Sequence, residues 1–355
     1  MPDSLPRVTL SNAQLSELLA DAADHEEGHR GRALRKASRA ALRWPEEAAE
    51  VAAEGRSLTE LDRVGPWVGR LLHGWFEEPP EVPDVPPTRQ GFKTLAEARA
   101  ALATDPNWRR ELKADLQMHT LYSDGTETVA EMARHCVEFG YEYIAITDHS
   151  KGLSIAGGMD EEVLARQMDE IERVNADLTS SGAGLTILRA LEMNIGLDGE
   201  GDMEPDALKG LDLIVGSFHS QLRKSEDQTD RYLAALENPF VHIFGHPRGR
   251  MYNRRRGLDA DWKTVFETAA TLGKAMEINA QPARQDLQVE LLEIARDTEV
   301  LLSIGTDAHY PFELEHVEFS LGAAITAGIP RERIVNFWPL ERFRSWVGEL
   351  QDAKA

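Results

Sequence analysis

The chain contains a single cysteine, Cys136, among its 355 residues. One thiol forms no disulfide within the chain, and alone it cannot build a thiolate metal site. Its neighbours Met132, Val137 and Phe139 indicate that it lies on the apolar face of a helix. The sequence therefore excludes a disulfide scaffold and a zinc site made of several cysteines.

Long apolar runs and an amino-terminal leader segment are also missing. No stretch approaches the roughly 18 apolar residues that a membrane-spanning helix needs. The first residues, Met1-Pro2-Asp3, open without the basic and apolar regions of a secretory signal. We therefore expect no membrane association and a cytoplasmic location.

Basic residues are scarce relative to acidic ones. The chain has 39 Lys and Arg against 61 Asp and Glu, which gives a formal net charge of −22. Broad binding to nucleic acid or to an anionic membrane depends on neutralising phosphates with cations, so this charge argues against it. Local contacts with phosphate groups remain compatible with the composition.

A proline-rich acidic stretch over residues 77–87 separates two parts of the chain. Before it, Ser11 and Gln14 form a capping box for a helix through about residue 27, and further helices are predicted over 31–43 and 46–53. A short helix then turns through Val64-Gly65-Pro66 into another. We expect a helical domain over residues 1–75, a linker with a connecting helix over 76–111, and a second domain over 112–355.

The second domain contains seven apolar segments that each end in a polar residue. They cover residues 112–119, 143–149, 185–192, 213–219, 241–246, 275–277 and 301–309. Amphipathic helices fill the intervals, for example over 129–139 and 161–178, and a spacing of roughly 30 residues suits one βα unit. The pattern predicts an α/β fold with a closed barrel, whose chemistry lies at the carboxyl ends of the strands.

The strand ends are rich in potential metal ligands. The candidates are Gln117, His119, Asp124, His149, Glu192, His219, His246, Asp307 and His309. Imidazole and carboxylate groups together suit Zn²⁺, Mn²⁺ or Fe²⁺. A single histidine is more often a hydrogen-bonded core residue, and we interpret His135 and His242 in that way. Repetition at successive strand ends favours a metal centre for the others.

These segments resemble the polymerase and histidinol phosphatase (PHP) family, in particular the PHP domain of bacterial family X DNA polymerases, over about residues 112–320. The resemblance implies a distorted (β/α)7 TIM-like barrel that binds up to three divalent ions of Zn, Mn, Fe or Mg. It implies three ligand sets: His119, Glu192 and Asp307; Glu192, His219 and His246; and Asp124, His149 and His309. Gln117 replaces a family histidine, and its amide is a weaker ligand than an imidazole.

The resemblance also implies hydrolysis of phosphate esters by a water molecule that the bound ions activate. Glu192, Asp307 and His309 are the ligands that we expect to matter most for catalysis. Arg250 and Lys151 are candidates for stabilising the developing charge, although each is equally compatible with a solvated surface charge.

Residues outside these sets receive less specific predictions. We interpret the run 254–256 as a solvated loop. Asp148 is predicted to orient a ligand histidine, and Glu277 and Asn279 to lie behind the ligands.

The run 61–69 resembles a helix-hairpin-helix motif, in which backbone N–H groups bind DNA phosphate. On this reading Val64, Gly65 and Gly69 contact DNA, although the two glycines also suit a tight turn between helices. Residues 8–75 resemble the amino-terminal domain of family X polymerases. The polymerase core itself has no counterpart, because fewer than about 40 residues separate the two recognisable parts.

Three functions fit these features. The first is a 3′-phosphatase or 3′–5′ exonuclease acting on DNA ends, and the second is a phosphomonoesterase for a histidinol-phosphate-like metabolite or a nucleotide. The third is a DNA-binding scaffold without catalysis. The hairpin favours the first function, the net charge favours the second, and the nearly complete ligand set argues against the third.

Overall fold

The computed structural model describes residues 9–352. These residues form two compact units that meet in sequence between Thr104 and Asp105. The opening Met1-Pro2-Asp3, on which the expectation of no leader segment rests, lies outside the described residues. No helix in residues 9–352 combines the length and the apolar character needed to cross a membrane.

The first unit is helical. Its helices are α1 (Asn12–Asp24), α2 (Gly28–Ala41), α3 (Ala48–Ala53), α4 (Pro66–Glu77) and α5 (Leu95–Thr104), with a 3-10 turn at Leu58–Glu60. Ser11 and Gln14 form the expected capping box at α1. Trp44 is buried in the core of this unit, and its indole N–H donates to the carbonyl of Asp62 over 2.9 Å. This bond attaches the turn before α4 to the core.

The second unit is a barrel of seven parallel strands in sequential order. The strands are β1 (Ala114–Asp115), β2 (Tyr143–Ile146), β3 (Thr186–Asn194), β4 (Leu213–Ser217), β5 (Ile243–Gly245), β6 (Ala275–Asn279) and β7 (Leu301–Gly305). The N–H of Leu116 donates to the carbonyl of Ile304 over 3.2 Å, and Met118 forms a parallel bridge with Ala308. These contacts join the first strand to the last, so the predicted α/β barrel is confirmed.

Helices cover the outside of this barrel. They are α6 (Asn107–Glu111), α7 (Val129–Phe139), α8 (Glu161–Ser181), α9 (Pro205–Leu208), α10 (Thr229–Glu237), α11 (Trp262–Thr271), α12 (Val289–Asp297), α13 (Val317–Ala327) and α14 (Leu340–Asp352). Short 3-10 turns lie at Ser154–Ala156, Pro311–His316, Arg331–Arg333 and Val335–Phe337. The expected single connecting helix is instead α5 and α6, because Pro106 interrupts the helical hydrogen bonds between them.

One end of the barrel is closed by aromatic side chains. Trp338 and, from α14, Phe343 and Trp346 pack against residues of the strands such as Ala114 and Tyr143. Burying each of these large side chains contributes about 2–3 kcal/mol. The strand residues in this cluster come before the candidate ligands in the chain. The aromatic cluster therefore closes the amino-terminal end of the barrel, and the carboxyl ends of the strands stay open.

Candidate metal centre

The strand ends bring the nine predicted ligands to one mouth of the barrel. Gln117, His119 and Asp124 follow β1, His149 follows β2, Glu192 lies in β3, His219 follows β4, His246 follows β5, and Asp307 and His309 follow β7. Parallel strands of a closed barrel end on the same side, which explains why residues so far apart in sequence meet.

Glu192 is the centre of this cluster. Its side chain is buried, and its Oε1 atom lies 2.8 Å from Nε2 of His246 and 3.1 Å from Nε2 of His219. Its Oε2 atom lies 3.1 Å from Nδ1 of His149 and 3.5 Å from Nε2 of His119. One carboxylate therefore faces four imidazoles, an arrangement that suits a ligand shared between cations.

The two ligands after β7 extend the cluster toward solvent. Nε2 of His119 lies 3.1 Å from Oδ1 of Asp307, and Nε2 of His309 lies 3.1 Å from Oδ1 of Asp124. Nδ1 of His309 donates to the backbone carbonyl of Asp307 over 2.8 Å. That bond fixes the ring orientation and directs Nε2 toward Asp124.

Three groups of side chains have ligand atoms within 4.8 Å of one another. They are His119, Glu192 and Asp307; His119, Asp124, His149 and His309; and His149, Glu192 and His219. The first equals one predicted set, and the second is another with His119 added. The third contains His149 where the resemblance implied His246, although His246 also contacts Glu192.

The donor atoms fit a cluster of divalent cations. Both amide atoms of buried Gln117 lack a hydrogen-bond partner, and so do Nδ1 of His149 and Oε2 of Glu192, although these last two atoms are only 3.1 Å apart. A buried polar atom without a partner costs about 1–3 kcal/mol, which a bound ion or its water would offset. The set of imidazoles and carboxylates, without a thiolate, suits Zn²⁺, Mn²⁺ or Fe²⁺.

Charges within the cluster prepare most ligands for a cation. Burial opposes ionisation of Glu192, but His149, His219 and His246 together hold its pKa well below the usual value. Burial lowers the pKa of His149 to about 3, so this imidazole is neutral and its lone pairs are available. Burial also lowers the pKa of His309, but Asp124 and Asp307 outweigh it and raise the pKa to about 9.

Residues behind the ligands hold them in place. The N–H of His246 donates to Oε2 of Glu277 over 2.5 Å, and the amide of Asn279 donates to the same atom and to Oδ2 of Asp307. Both residues lie where the sequence predicted. Glycine at position 305 makes room for the Glu277 side chain, because a Cβ atom there would lie 2.1 Å from Oε1 of Glu277.

Asp148 has a different task from the predicted one. Its carboxylate accepts hydrogen bonds from the N–H and hydroxyl of Thr120 at 2.8 and 2.6 Å, from the hydroxyl of Ser123 and from the amide of Gln167. These partners belong to the loop that carries Asp124 and to α8. Asp148 therefore orders the Asp124 loop rather than a ligand histidine.

The structure does not bring the two predicted cationic residues into this cluster. Nζ of exposed Lys151 pairs with Glu161 over 2.6 Å. Arg250 is only 2% exposed and donates to Gln288, so the loop after β5 turns its charge inward. Arg284, which the sequence analysis missed, has its Nε atom 3.0 Å from Oδ2 of Asp307. The sequence feature that could have indicated Arg284 is its position in the loop after β6, at the same end of the barrel as the ligands.

Comparison with known proteins agrees with this geometry. Residues 115–281 match the model of the PHP domain. These residues of the barrel form a PHP domain. A curated relative, the DNA polymerase/3′-5′ exonuclease PolX of Bacillus subtilis (strain 168), is 37% identical over 227 residues. That alignment covers 64% of this chain but only 39% of the polymerase, so the chain spans well under half of that relative.

Other relatives match the PHP barrel over nearly their whole length. A probable phosphatase of Caldicellulosiruptor bescii is 28% identical over 247 residues, which cover 66% of this chain and 95% of the relative. The solved structure of histidinol phosphate phosphatase from Lactococcus lactis subsp. lactis Il1403, in complex with zinc, L-histidinol and phosphate, superposes with a TM-score of 0.49 at 18% identity. It covers 62% of this chain and 95% of that one. The predicted enzyme class, a hydrolase of phosphate esters, is confirmed at the level of the PHP family.

Gln117 offers a direct test of the centre. Replacing it by histidine is expected to raise the affinity for Zn²⁺ by about tenfold or more, because imidazole is the stronger ligand for this ion. The affinity is measured by competition with a chromophoric chelator. Gln351→His, an exposed residue of α14, is the matched control and should not change the affinity. An unchanged affinity in Gln117→His would mean that another group already completes the site.

Proposed function

We propose that the protein hydrolyses phosphate esters at DNA ends, as a 3′-phosphatase or 3′–5′ exonuclease. The observation that carries the catalytic part is the buried Glu192 carboxylate facing four imidazoles at the mouth of a PHP barrel. Up to three divalent ions of Zn, Mn, Fe or Mg would be held by the nine candidate ligands. When bound, such ions activate the attacking water and neutralise charge on the phosphoryl oxygens.

The protein's own residues position this chemistry. Glu192 and Asp307 supply negative charge to the cations, while Asn279 and Arg284 restrain Asp307. The side chain of Arg284 is 15% exposed, so its guanidinium also adds positive charge where phosphoryl oxygens would approach. This role is the one that the sequence assigned to Arg250 and Lys151.

The helical unit supports DNA as the substrate. Gly65 is the N-cap of α4, it makes no side-chain capping bond, and a Cβ atom there would meet nothing within 4 Å. The first-turn N–H groups of a helix bind phosphate when no side chain caps them. A cavity of about 230 Å³ in the same unit is lined by His29, Arg32, Ala33, Lys36 and Arg63. These features favour the proposed DNA contact at Gly65. Val64 and Gly69 are buried, and their N–H groups donate to the carbonyls of Leu61 and Gly65, so these two proposed contacts have no such support.

A small-metabolite phosphatase is the second candidate. The net charge of −22 and the relatives named probable phosphatases support it. The non-catalytic scaffold has the least support, because eight of the nine candidate ligands are His, Asp or Glu side chains and lie in one cluster. DNA ends are preferred because the helical unit offers an uncapped helix beside a basic cavity, and a small phosphomonoester requires neither.

The hairpin separates the two candidates experimentally. Gly65→Val is expected to raise KM for a 3′-phosphorylated oligonucleotide about five- to tenfold, because the added side chain blocks backbone approach to phosphate. Hydrolysis of 4-nitrophenyl phosphate should remain nearly intact. Gly74→Val is the matched control, since Gly74 also lies in α4 with nothing within 4 Å of its Cβ position.

Deletion of residues 1–85 should reproduce the same difference between the two substrates. Added salt should also weaken cleavage of the oligonucleotide more steeply than that of the small ester, because only DNA releases counterions. If the full chain processes no DNA end but hydrolyses phosphomonoesters, the metabolite phosphatase is the better conclusion.

A further inference from the structure

The rim of the barrel carries apolar side chains that the metal centre does not use. Among residues 9–352, seven large hydrophobic side chains are exposed, and five of them lie on loops that follow strand ends. These five are Leu121, Ile155, Leu197, Tyr310 and Phe312. Exposed apolar residues that gather at one place mark a binding surface, whereas scattered ones do not.

Two of these residues form an aromatic platform, which we define as Tyr310 and Phe312. Their side chains are 46% and 65% exposed, and their ring centroids are 5.5 Å apart with an interplanar angle of 31°. Tyr310 directly follows the candidate ligand His309. The N–H groups of His309 and Tyr310 both donate to Oε2 of Glu313, at 2.8 and 3.2 Å, so the backbone beneath the platform is held.

The opposite loops carry an arginine cluster, defined as Arg223, Arg254, Arg255 and Arg256. Arg223 follows β4, and the other three lie in the loop after β5. Within the part of the chain that the structure describes, none of the four forms an ion pair with a carboxylate. Guanidinium groups without a carboxylate partner are well suited to binding phosphate.

Hydrogen bonds to backbone carbonyls hold two of these arginines in place. Nη1 of Arg223 donates to the carbonyl of Arg254 over 3.2 Å, and Nε of Arg255 donates to the carbonyl of Gly249 over 2.5 Å. Burial and the nearby cations of Arg284, Arg223 and Arg254 lower the pKa of Arg255 to about 10. Like charges are therefore crowded here, and a bound anion would relieve their repulsion.

The same loop is fixed to the metal centre. The N–H of Tyr252 donates to the carbonyl of Ala283 over 2.7 Å. The next residue, Arg284, contacts the candidate ligand Asp307. Cations thus continue from the ligand cluster outward along the loops after β6, β5 and β4, while the aromatic platform lies on the loop after β7.

We propose that a single strand of nucleic acid crosses the mouth of the barrel, with bases stacked on the aromatic platform and phosphates bound by the arginine cluster. Aromatic side chains combined with a basic track are the features by which proteins bind single strands, because every base has a face that stacks. A small phosphomonoester would need neither surface, and a duplex keeps its base faces covered. The inference rests on the proposed function for the cleavage step, and it assigns strand binding to the barrel as well as to the hairpin.

Binding of a fluorescein-labelled oligothymidylate of about twelve nucleotides to the full protein chain tests this inference. Fluorescence anisotropy with Arg223→Ala/Arg254→Ala should give a Kd at least about tenfold higher. The slope of log K against log salt should become shallower by about 1.4, since each lost phosphate contact removes about 0.7. Phe312→Leu should raise Kd about fivefold or more through lost stacking, and Phe312→Trp should restore it.

Arg344→Ala, an exposed arginine of α14, is the matched control and should bind like the wild type. Metal content and the thermal unfolding midpoint, measured on the same samples, verify that each variant is folded. Equal Kd values for the wild type and the double variant would overturn the inference, as would a wild type that binds no oligonucleotide. Binding without cleavage of any DNA end would leave the inference standing and contradict the proposed function.

Discussion

Replacement of Glu192 by glutamine is expected to lower kcat for phosphate-ester hydrolysis by at least about 1,000-fold. The carboxylate faces His119, His149, His219 and His246 and belongs to two of the three ligand groups. The substitution therefore weakens cation binding by both groups. An amide keeps the shape but loses the charge, and its NH2 group would face imidazole nitrogens whose lone pairs should bind cations.

Comparison with a ligand at the edge of the cluster makes this result specific. His309→Gln should lower kcat by about 10- to 100-fold, because His309 belongs to one group only. Glu290→Gln, an exposed carboxylate on α12, should retain full activity. Metal analysis of the purified proteins should show a greater loss of bound ions in Glu192→Gln than in His309→Gln. Equal or smaller effects in Glu192→Gln would contradict its bridging role.

Exhaustive chelation is expected to abolish phosphate release, a loss of at least about 10,000-fold, because the described side chains alone offer no activated nucleophile. Addition of Mn²⁺ or Zn²⁺ should restore the activity. The purified protein should also carry more than one divalent ion per chain, measured by elemental analysis. Full activity after chelation would end the proposal of a metal-dependent enzyme.

Proton release should accompany the reloading of the chelated protein. Without cations, the pKa of His309 is raised to about 9, so at pH 7 both ring nitrogens carry a proton. A cation must displace that proton to reach Nε2, and its affinity therefore falls as the pH decreases below 9. Titration calorimetry in buffers of different ionisation enthalpy measures the released proton, which should be missing in His309→Gln. Activity should fall with the same decrease in pH, because protons then compete with the cations for His309.

Much of the centre could be predicted from the sequence because parallel strands end on one side of a barrel. Once seven apolar segments of similar spacing are recognised, residues such as His119 and Glu192 must lie at the same mouth. The alternation of side chains along a strand also predicts which residues near a strand end point into the barrel. These two rules depend on regular backbone, and they succeed where the backbone is regular.

The side-chain directions and contacts that could not be predicted belong to irregular backbone. His246 and Asp307 have φ values of 25° and 56°, in the left-handed region, so no strand period describes their directions. The loop after β5 buries Arg250, and Arg284 comes to the centre from the loop after β6. The grouping of His149, instead of His246, with His219 likewise depends on distances that only the folded chain defines.

The closure of the barrel between β1 and β7 has a consequence for biosynthesis. His119 and Asp307 contact each other although 188 residues separate them in the chain. At about 5 to 20 residues per second, a ribosome needs roughly 10 to 40 seconds to make that interval. A nascent or prematurely terminated chain that lacks β7 therefore contains neither Asp307 nor His309. The two groups that contain Asp307 or His309 can bind cations only after β7 has been made, so shorter chains carry no complete centre.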